Sequence, residues 1–173
     1  QIEIHPQNPQ ERLIRQAVDI IHDGGIVAYP TDSGYALGCS IGNKEALERI
    51  RRIRALGPDH NFTLICRDLS ESATYANFDD RVYRILRSNT PGSYTFILRA
   101  TKEVPRRILH PKRKTIGLRV PDHRITLALL AELDEPMMST TPAARKAAAA
   151  SATKSVPDGS CAPLGATVAI PSG

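Results

Sequence analysis

Four groups of side chains have the types and spacing to do chemistry. The first is Pro30-Thr31-Asp32-Ser33-Gly34-Tyr35-Ala36-Leu37-Gly38, which follows a short apolar stretch. That places it beyond the carboxyl end of a predicted strand, where open α/β sheets bind ligands. Thr31 and Ser33 can donate and accept hydrogen bonds, and Gly34 and Gly38 let backbone approach a ligand closely. An ordinary polar β–α turn has the same composition. The second group is Arg49, Arg51, Arg52 and Arg54. On a helix these cannot share one face; Arg49 and Arg52, three apart, stack on one side, and Arg54 lies near the helix end. Two guanidinium groups there can clamp a phosphate or carboxylate, or can simply be solvated cations favoured by a helix C-terminus. The third is Arg106, Arg107, Lys112, Arg113, Lys114 and Arg119, in a stretch from Val104 to Pro121 that holds no acidic residue. Charges without a local partner suit phosphate contacts, and the segment has no aromatic residue on which a single strand would stack. The fourth is Ser139-Thr140-Thr141, hydroxyls at the end of a predicted strand.

Other chemistries lack their residues. No Gly-x-Ser-x-Gly elbow is present and no cysteine lies next to a histidine, so the sequence shows no nucleophile–base pair. The Walker-type and dinucleotide glycine patterns are absent, as is His-Glu-x-x-His. Three cysteines (Cys39, Cys66 and Cys161) lie far apart in sequence. An odd count without Cys-x-x-Cys argues against a disulfide framework or a cysteine zinc site and fits a reduced, cytoplasmic setting.

The elements that must position these groups follow from apolar periodicity. Asn8, Pro9 and Glu11 predict a helix start, and Leu13, Ile14, Ala17, Ile20 and Ile21 its buried face, before Gly24-Gly25 stops it. Residues 26–29 predict a strand, with 30–38 as a loop. Asn43 caps a second helix with Leu47, Ile50 and Ile53 inward, ended by Gly57-Pro58. A strand at 62–66, a short helix capped by Asp68 and Glu71, and a helix at 79–88 carrying Val82, Ile85 and Leu86 follow. Strands at 94–100 and 115–120, a helix capped by Asp122 with Ile125, Leu129, Leu130 and Leu133, and a strand at 136–140 complete the pattern. Alternating strands and helices without an internal repeat predict an α/β fold with a twisted, mixed sheet.

Composition bounds the rest. The chain has 173 residues and a formal net charge of +5, which favours a single domain and anionic partners. No apolar run approaches the roughly 18 residues of a membrane helix, and the polar opening QIEIHPQNPQER does not read as a leader. All eight Phe and Tyr residues lie between Tyr29 and Phe96. From Pro142 on, ten alanines and few bulky apolar residues leave too little apolar area to offset ordering entropy. The expected organisation is a domain over 1–141, C-terminally incomplete, and an alanine-rich tail over 142–173.

Taken in order, HPQNPQERLIRQAV, GGIVAYPTDSGYALGC, RIRRIRALGPDHNFTLICRDLS, NTPGSYTFILRATKEVPRRIL, KRKTIGLRVPDH and EPMMST resemble the YrdC family, within it the YciO branch. The resemblance spans about residues 4–141. It implies a twisted open sheet around a basic concave cavity. It also implies synthesis of threonylcarbamoyl-AMP from L-threonine, bicarbonate and ATP, with Mg²⁺ on the nucleotide, for a tRNA modification. Double-stranded RNA binding through the same basic cavity is the alternative that it implies. No resident metal site is expected.

Carried over residue by residue, Thr31 falls on the threonine of the family's Pro-Thr motif and Tyr35 on its aromatic position. The family's Lys-x-Arg pair falls on Arg52-Ile53-Arg54, with arginine replacing lysine, and His60 falls near a following polar position. Thr115 and Arg119 fall on the Ser/Thr and Arg before Val-Pro-x-His, and Ser139 and Thr141 on the Ser-Thr-Ser run. These nine would bind substrate or nucleotide, and Arg106, Arg107, Lys112, Arg113 and Lys114 would bind RNA. Two departures stand out. Ala143 replaces the asparagine that ends the Ser-Thr-Ser element, and the alanine-rich tail replaces the strands that follow it.

Overall fold

The computed structural model describes residues 2–32, 34–57, 60, 62–109 and 112–140, together with the backbone of 168–170. Five helices and a mixed sheet make up these parts. In chain order they are α1 (Glu11–His22), β1 (Ile26–Thr31), β2 (Gly34–Ser40), α2 (Lys44–Ile53), β3 (Thr63–Ile65), α3 (Leu69–Tyr75), β4 (Ala76–Asn77) and α4 (Asp80–Asn89). Then come β5 (Phe96–Ala100), a 3₁₀ turn (Arg106–Ile108), β6 (Thr115–Arg119), α5 (Arg124–Leu133), β7 (Met137–Thr140) and β8 (Val168–Ile170). The strand order is β4-β5-β6-β3-β7-β2-β1-β8. Only β3 and β6 pair in parallel among these strands; the other pairings are antiparallel.

Side-chain alternation divides the sheet into two faces. Ile26, Leu37, Cys39, Leu64, Leu98, Ile116, Leu118 and Met138 point into one core, which α2 closes with Ala46, Leu47 and Ile50. Their neighbours Val27, Tyr29, Ala36, Ile65 and Met137 point the other way, into a second core closed by α1 and α5 through Ile14, Ala17, Ile21, Ile125, Leu129 and Leu130. We call these the first and second faces. The first core runs the width of the sheet out to β5 and β4, through Leu98 and Ala76. The helices of the second core pack over β1 and β2 at one side.

Several local signals act as the sequence predicts. Asn43, Asp68 and Asp79 accept from the backbone N–H groups of Ala46, Glu71 and Val82 at 2.8–2.9 Å, capping α2, α3 and α4. Gly24 ends α1 at φ 82°, a left-handed conformation that favours glycine. Other predictions fail for identifiable reasons. Residues 30–38 are not a loop: β1 runs on through Thr31 and turns directly into β2, so the motif is the end of a hairpin. The first helix starts after Gln10, not Asn8, because His5 Nδ1 accepts from the Gln7 and Asn8 N–H groups and holds them in a turn. Asp122 does not cap α5; His123 occupies the cap position without a side-chain bond. Ile53 and Ile85 are exposed. Ile53 is the last residue of α2, and a left-handed Ala55 already turns the chain before Gly57.

Candidate functional site

A row of small residues crosses the second face. Register pairs Gly38 with Ser139, Ser139 with Thr63, and Thr63 with Gly117, so the four lie side by side on β2, β7, β3 and β6. The glycines are not incidental. A Cβ on Gly38 would stand 2.8 Å from the Tyr29 ring and 2.6 Å from Met137 Sδ, and one on Gly117 would stand 2.9 Å from Thr63 Oγ1. The missing side chains let Tyr29, Met137 and Thr63 pack directly against the strand backbone. At the β1 end of the row the Tyr29 ring lies over Gly38 and the phenol donates to Ser139 Oγ at 2.6 Å. Burial pushes that phenol's pKa well above its usual value.

Thr31, Ser139, Thr115 and Arg119 all project onto this face. Thr31 follows Val27 and Tyr29 in phase and donates from Oγ1 to the Gly34 carbonyl at 2.8 Å. Thr115 and Arg119 flank Gly117 in phase on β6. Arg119 is 3% exposed and forms an ion pair with Asp32, which also accepts from the Asp122 N–H at 3.4 Å. This pair reveals the shape of the sheet. β6 and β1 are four strand steps apart, about 19 Å in a flat sheet, and Arg119 and Asp32 sit at diagonally opposite corners of the patch. Right-handed twist lifts diagonal corners to the same side, so the second face curls and the two side chains meet over it. Burial lowers the Arg119 pKa, yet a guanidinium stays charged at neutral pH. Thr126 on α5 fixes the base of the hairpin by donating to the Pro30 carbonyl at 2.5 Å.

The remaining predicted residues lie elsewhere or out of phase. Tyr35 pairs with Pro30, one residue out of step with Thr31, and alternation points it toward the first face. Arg52 is exposed, whereas Arg51 and Arg54 turn partly inward. Arg49 and Arg52 lie three apart on α2, and Arg51 between them forms a cluster of its own. Its guanidinium lies 5.1 Å from the centre of the Phe62 ring and 3.3 Å from Glu48, and His60 meets the same ring edge-on at 5.5 Å. Burial, then the Arg51 charge, lowers the His60 pKa. This cluster sits at the start of β3, while Arg119 pairs in register with Ile65 at its end. Arg106, Arg107, Lys112, Arg113 and Lys114 are exposed, on a connection pinned to the first core by Val104 and Ile108. Arg107 finds a partner outside the segment, donating to the Gly42 carbonyl. Thr141 and Ser33 fall outside the described residues, as does the tail over 142–167 and 171–173.

Sequence reading missed Tyr29 and Asp32 as site residues. Tyr29 carries a usable signal, the two-residue spacing from Thr31. Asp32 carries none, because its partner is 87 residues away. No helix among the described residues is long and apolar enough to cross a membrane. Among the same residues no three His, Cys, Asp or Glu side chains gather in a way that would hold a metal.

Known proteins share this arrangement of strands. The YciO protein of Escherichia coli K12 is 63% identical over 138 residues, 80% of this chain and 67% of that protein. The crystal structure of E. coli YciO superposes with a TM-score of 0.77 at 64% identity, over 79% of this chain and 66% of that one. This chain thus spans about two thirds of the length of that relative. The threonylcarbamoyl-AMP synthase of Vibrio vulnificus YJ016 is 29% identical over 132 residues, 74% of this chain and 70% of that protein. P. abyssi Sua5, solved in complex with L-threonine, superposes with a TM-score of 0.72 at 25% identity, over 78% of this chain and 39% of that one. The family model described as Telomere recombination, that of Sua5, YciO and YrdC, matches residues 19–158. With its mixed open sheet and these relatives, the chain belongs to the Sua5/YciO/YrdC family.

Proposed function

We propose that the second face binds L-threonine and an ATP–Mg²⁺ complex and that the chain makes threonylcarbamoyl-AMP in a cytoplasmic tRNA-modification route. The observation that carries this reading is the convergence of Thr31, Thr115, Ser139 and Arg119, from three strands, on one curled face with a floor of small residues. The L-threonine complex of a relative and the synthases among the relatives support it.

In the proposed reaction, the threonine amine and bicarbonate form a carbamate with loss of water. A carbamate oxygen attacks the α-phosphorus of ATP, and the bond to the bridging oxygen breaks to release pyrophosphate. Mg²⁺ arrives as part of the nucleotide substrate. The chain's share is positioning and charge neutralisation. Hydroxyls of Thr31 and Ser139 orient the amino acid, Thr115 and Arg119 meet the nucleotide, and Arg54 and His60 contribute at the start of β3. The test is pyrophosphate release by the purified protein. Release that needs ATP, threonine and bicarbonate together, and that falls at least tenfold in Ser139→Ala, is expected. No threonine-dependent release, beside an active full-length relative, overturns the reading.

A second reading, a double-stranded RNA-binding module without catalysis, draws on the exposed run Arg106, Arg107, Lys112, Arg113 and Lys114. It expects affinity that falls steeply with salt and shows little sequence preference.

A further inference from the structure

We infer that Asp32 is a built-in occupant of the anion position at Arg119, so that any anionic ligand group using Arg119 must first displace the Asp32 carboxylate. The inference deepens the proposed function and rests on its reading of the second face as the ligand site.

Three observations lead to it. The Arg119 side chain is 3% exposed, and the Asp32 carboxylate is on it. A guanidinium fork presents its donors in the geometry that also suits a phosphate or a ligand carboxylate. Asp32 therefore stands, chemically, where a ligand oxyanion would stand. It is also the less firmly seated partner. Its side chain is 15% exposed, and its second oxygen has only a long 3.4 Å bond from the Asp122 N–H. The surrounding backbone does not depend on it. Pro30 is held by Thr126, and Thr31 bonds to the Gly34 carbonyl, both without Asp32. An incoming anion can therefore replace the carboxylate while the hairpin keeps its other bonds.

The arrangement has a second purpose that the same observations explain. An arginine buried without a counter-ion would carry a heavy desolvation cost. An internal carboxylate removes that cost in the ligand-free protein and hands the guanidinium over on binding. The consequence is a lowered apparent affinity, because only the fraction of molecules with Arg119 released is competent. The rival role for Asp32 is to orient Arg119 toward the ligand, and it predicts the opposite sign.

Calorimetric titration with inorganic pyrophosphate at low salt decides between them. Asp32→Asn and Asp32→Ser, both checked for native circular dichroism, should bind about tenfold tighter than wild type if the carboxylate occupies the site in some nine molecules of ten. Asp32→Glu keeps the charge and should stay near wild type. Adding Arg119→Gln to Asp32→Asn should abolish the gain. Equal or weaker binding by Asp32→Asn, tighter binding by Asp32→Glu as well, or no pyrophosphate binding by any form overturns the inference. Threonine-dependent pyrophosphate release, measured on the same preparations, is a separate readout. Its absence with the affinity gain intact removes the synthase reading and leaves the carboxylate competition standing.

Discussion

The two faces of the sheet come from the same strands and the same alternation, yet they are built for different ends. On the first face, almost every inward residue is a bulky aliphatic or a buried thiol, from Ile26 on β1 to Leu98 on β5. The second face is apolar where α1 and α5 cover it, from Val27 and Ala36 on β1 and β2 to Met137 and Ile65 on β7 and β3, and is crossed by the row Gly38, Ser139, Thr63 and Gly117. One face supplies cohesion and so frees the other to carry hydroxyls, small residues and a buried ion pair. The lesson is that the site depends on the core without touching it. Damage to the first face should cost stability alone, and damage to the second should cost binding out of proportion to stability.

The largest expected effect tests the first half of that statement. Leu64 is fully buried at the centre of the first core. Leu64→Ala removes apolar contacts and leaves a cavity, at a cost of about 3 kcal/mol. Denaturant unfolding should show it, while pyrophosphate affinity under native conditions stays within about twofold, a difference of less than 0.5 kcal/mol. A large loss of affinity in a folded Leu64→Ala protein would mean that the faces are mechanically coupled.

Ser139→Ala reverses the pattern. The Tyr29 phenol is buried and donates to Ser139 Oγ, so the substitution strands a donor at a cost of about 1–2 kcal/mol. Tyr29→Phe added to Ser139→Ala removes the stranded group and should recover much of that stability. The proposed site should not recover with it, because the Ser139 hydroxyl is still missing. Unfolding curves for the single and double variants, set beside their threonine-dependent activity, check both parts.

Much of this division is readable in the sequence, and what is not has a physical reason. Alternating apolar residues place β1, β3, β6 and β7, and Asn43, Asp68 and Asp79 mark helix starts because a cap is a contact within three residues. Thr31, Thr115, Arg119 and Ser139 are recognisable by type and by resemblance. Their convergence is not, since it depends on register between strands far apart in the chain. The hairpin is the clearest case. Small and hydroxyl residues at 30–38 favour a loop by composition, but pairing with β1 on one side and β7 on the other makes a strand of most of them. That pairing sets Tyr35 out of phase with Thr31. It also brings Asp32 over Arg119, which the local sequence presents as a cation without a partner. The Arg51 cluster shows the same limit, because Phe62 and His60 lie beyond the helix whose spacing selects Arg49 and Arg52.

The smallest effects separate the faces through two histidines. His60, beside the Arg51–Phe62 cluster, has its pKa lowered first by burial and then by the Arg51 charge. His123, at the start of α5, has its pKa lowered by burial while the Asp122 carboxylate raises it. In both, the native state binds a proton less readily than the unfolded chain. Stability should therefore fall as the pH drops through the ordinary histidine range, near 6.5, and be fully present above it. Both rings are half-buried, so the loss is small, and the sign of each perturbation is the better readout. Added salt screens surface charges and should move the two apart in opposite senses, His60 upward and His123 downward. Arg51→Met should raise the His60 pKa and leave His123 in place; Asp122→Asn should lower His123 and leave His60 in place. Imidazole proton shifts followed by NMR against pH resolve all four outcomes. If Arg51→Met moved both histidines together, charge on the first side of the sheet would be reaching the second, and the two faces would not be electrostatically independent.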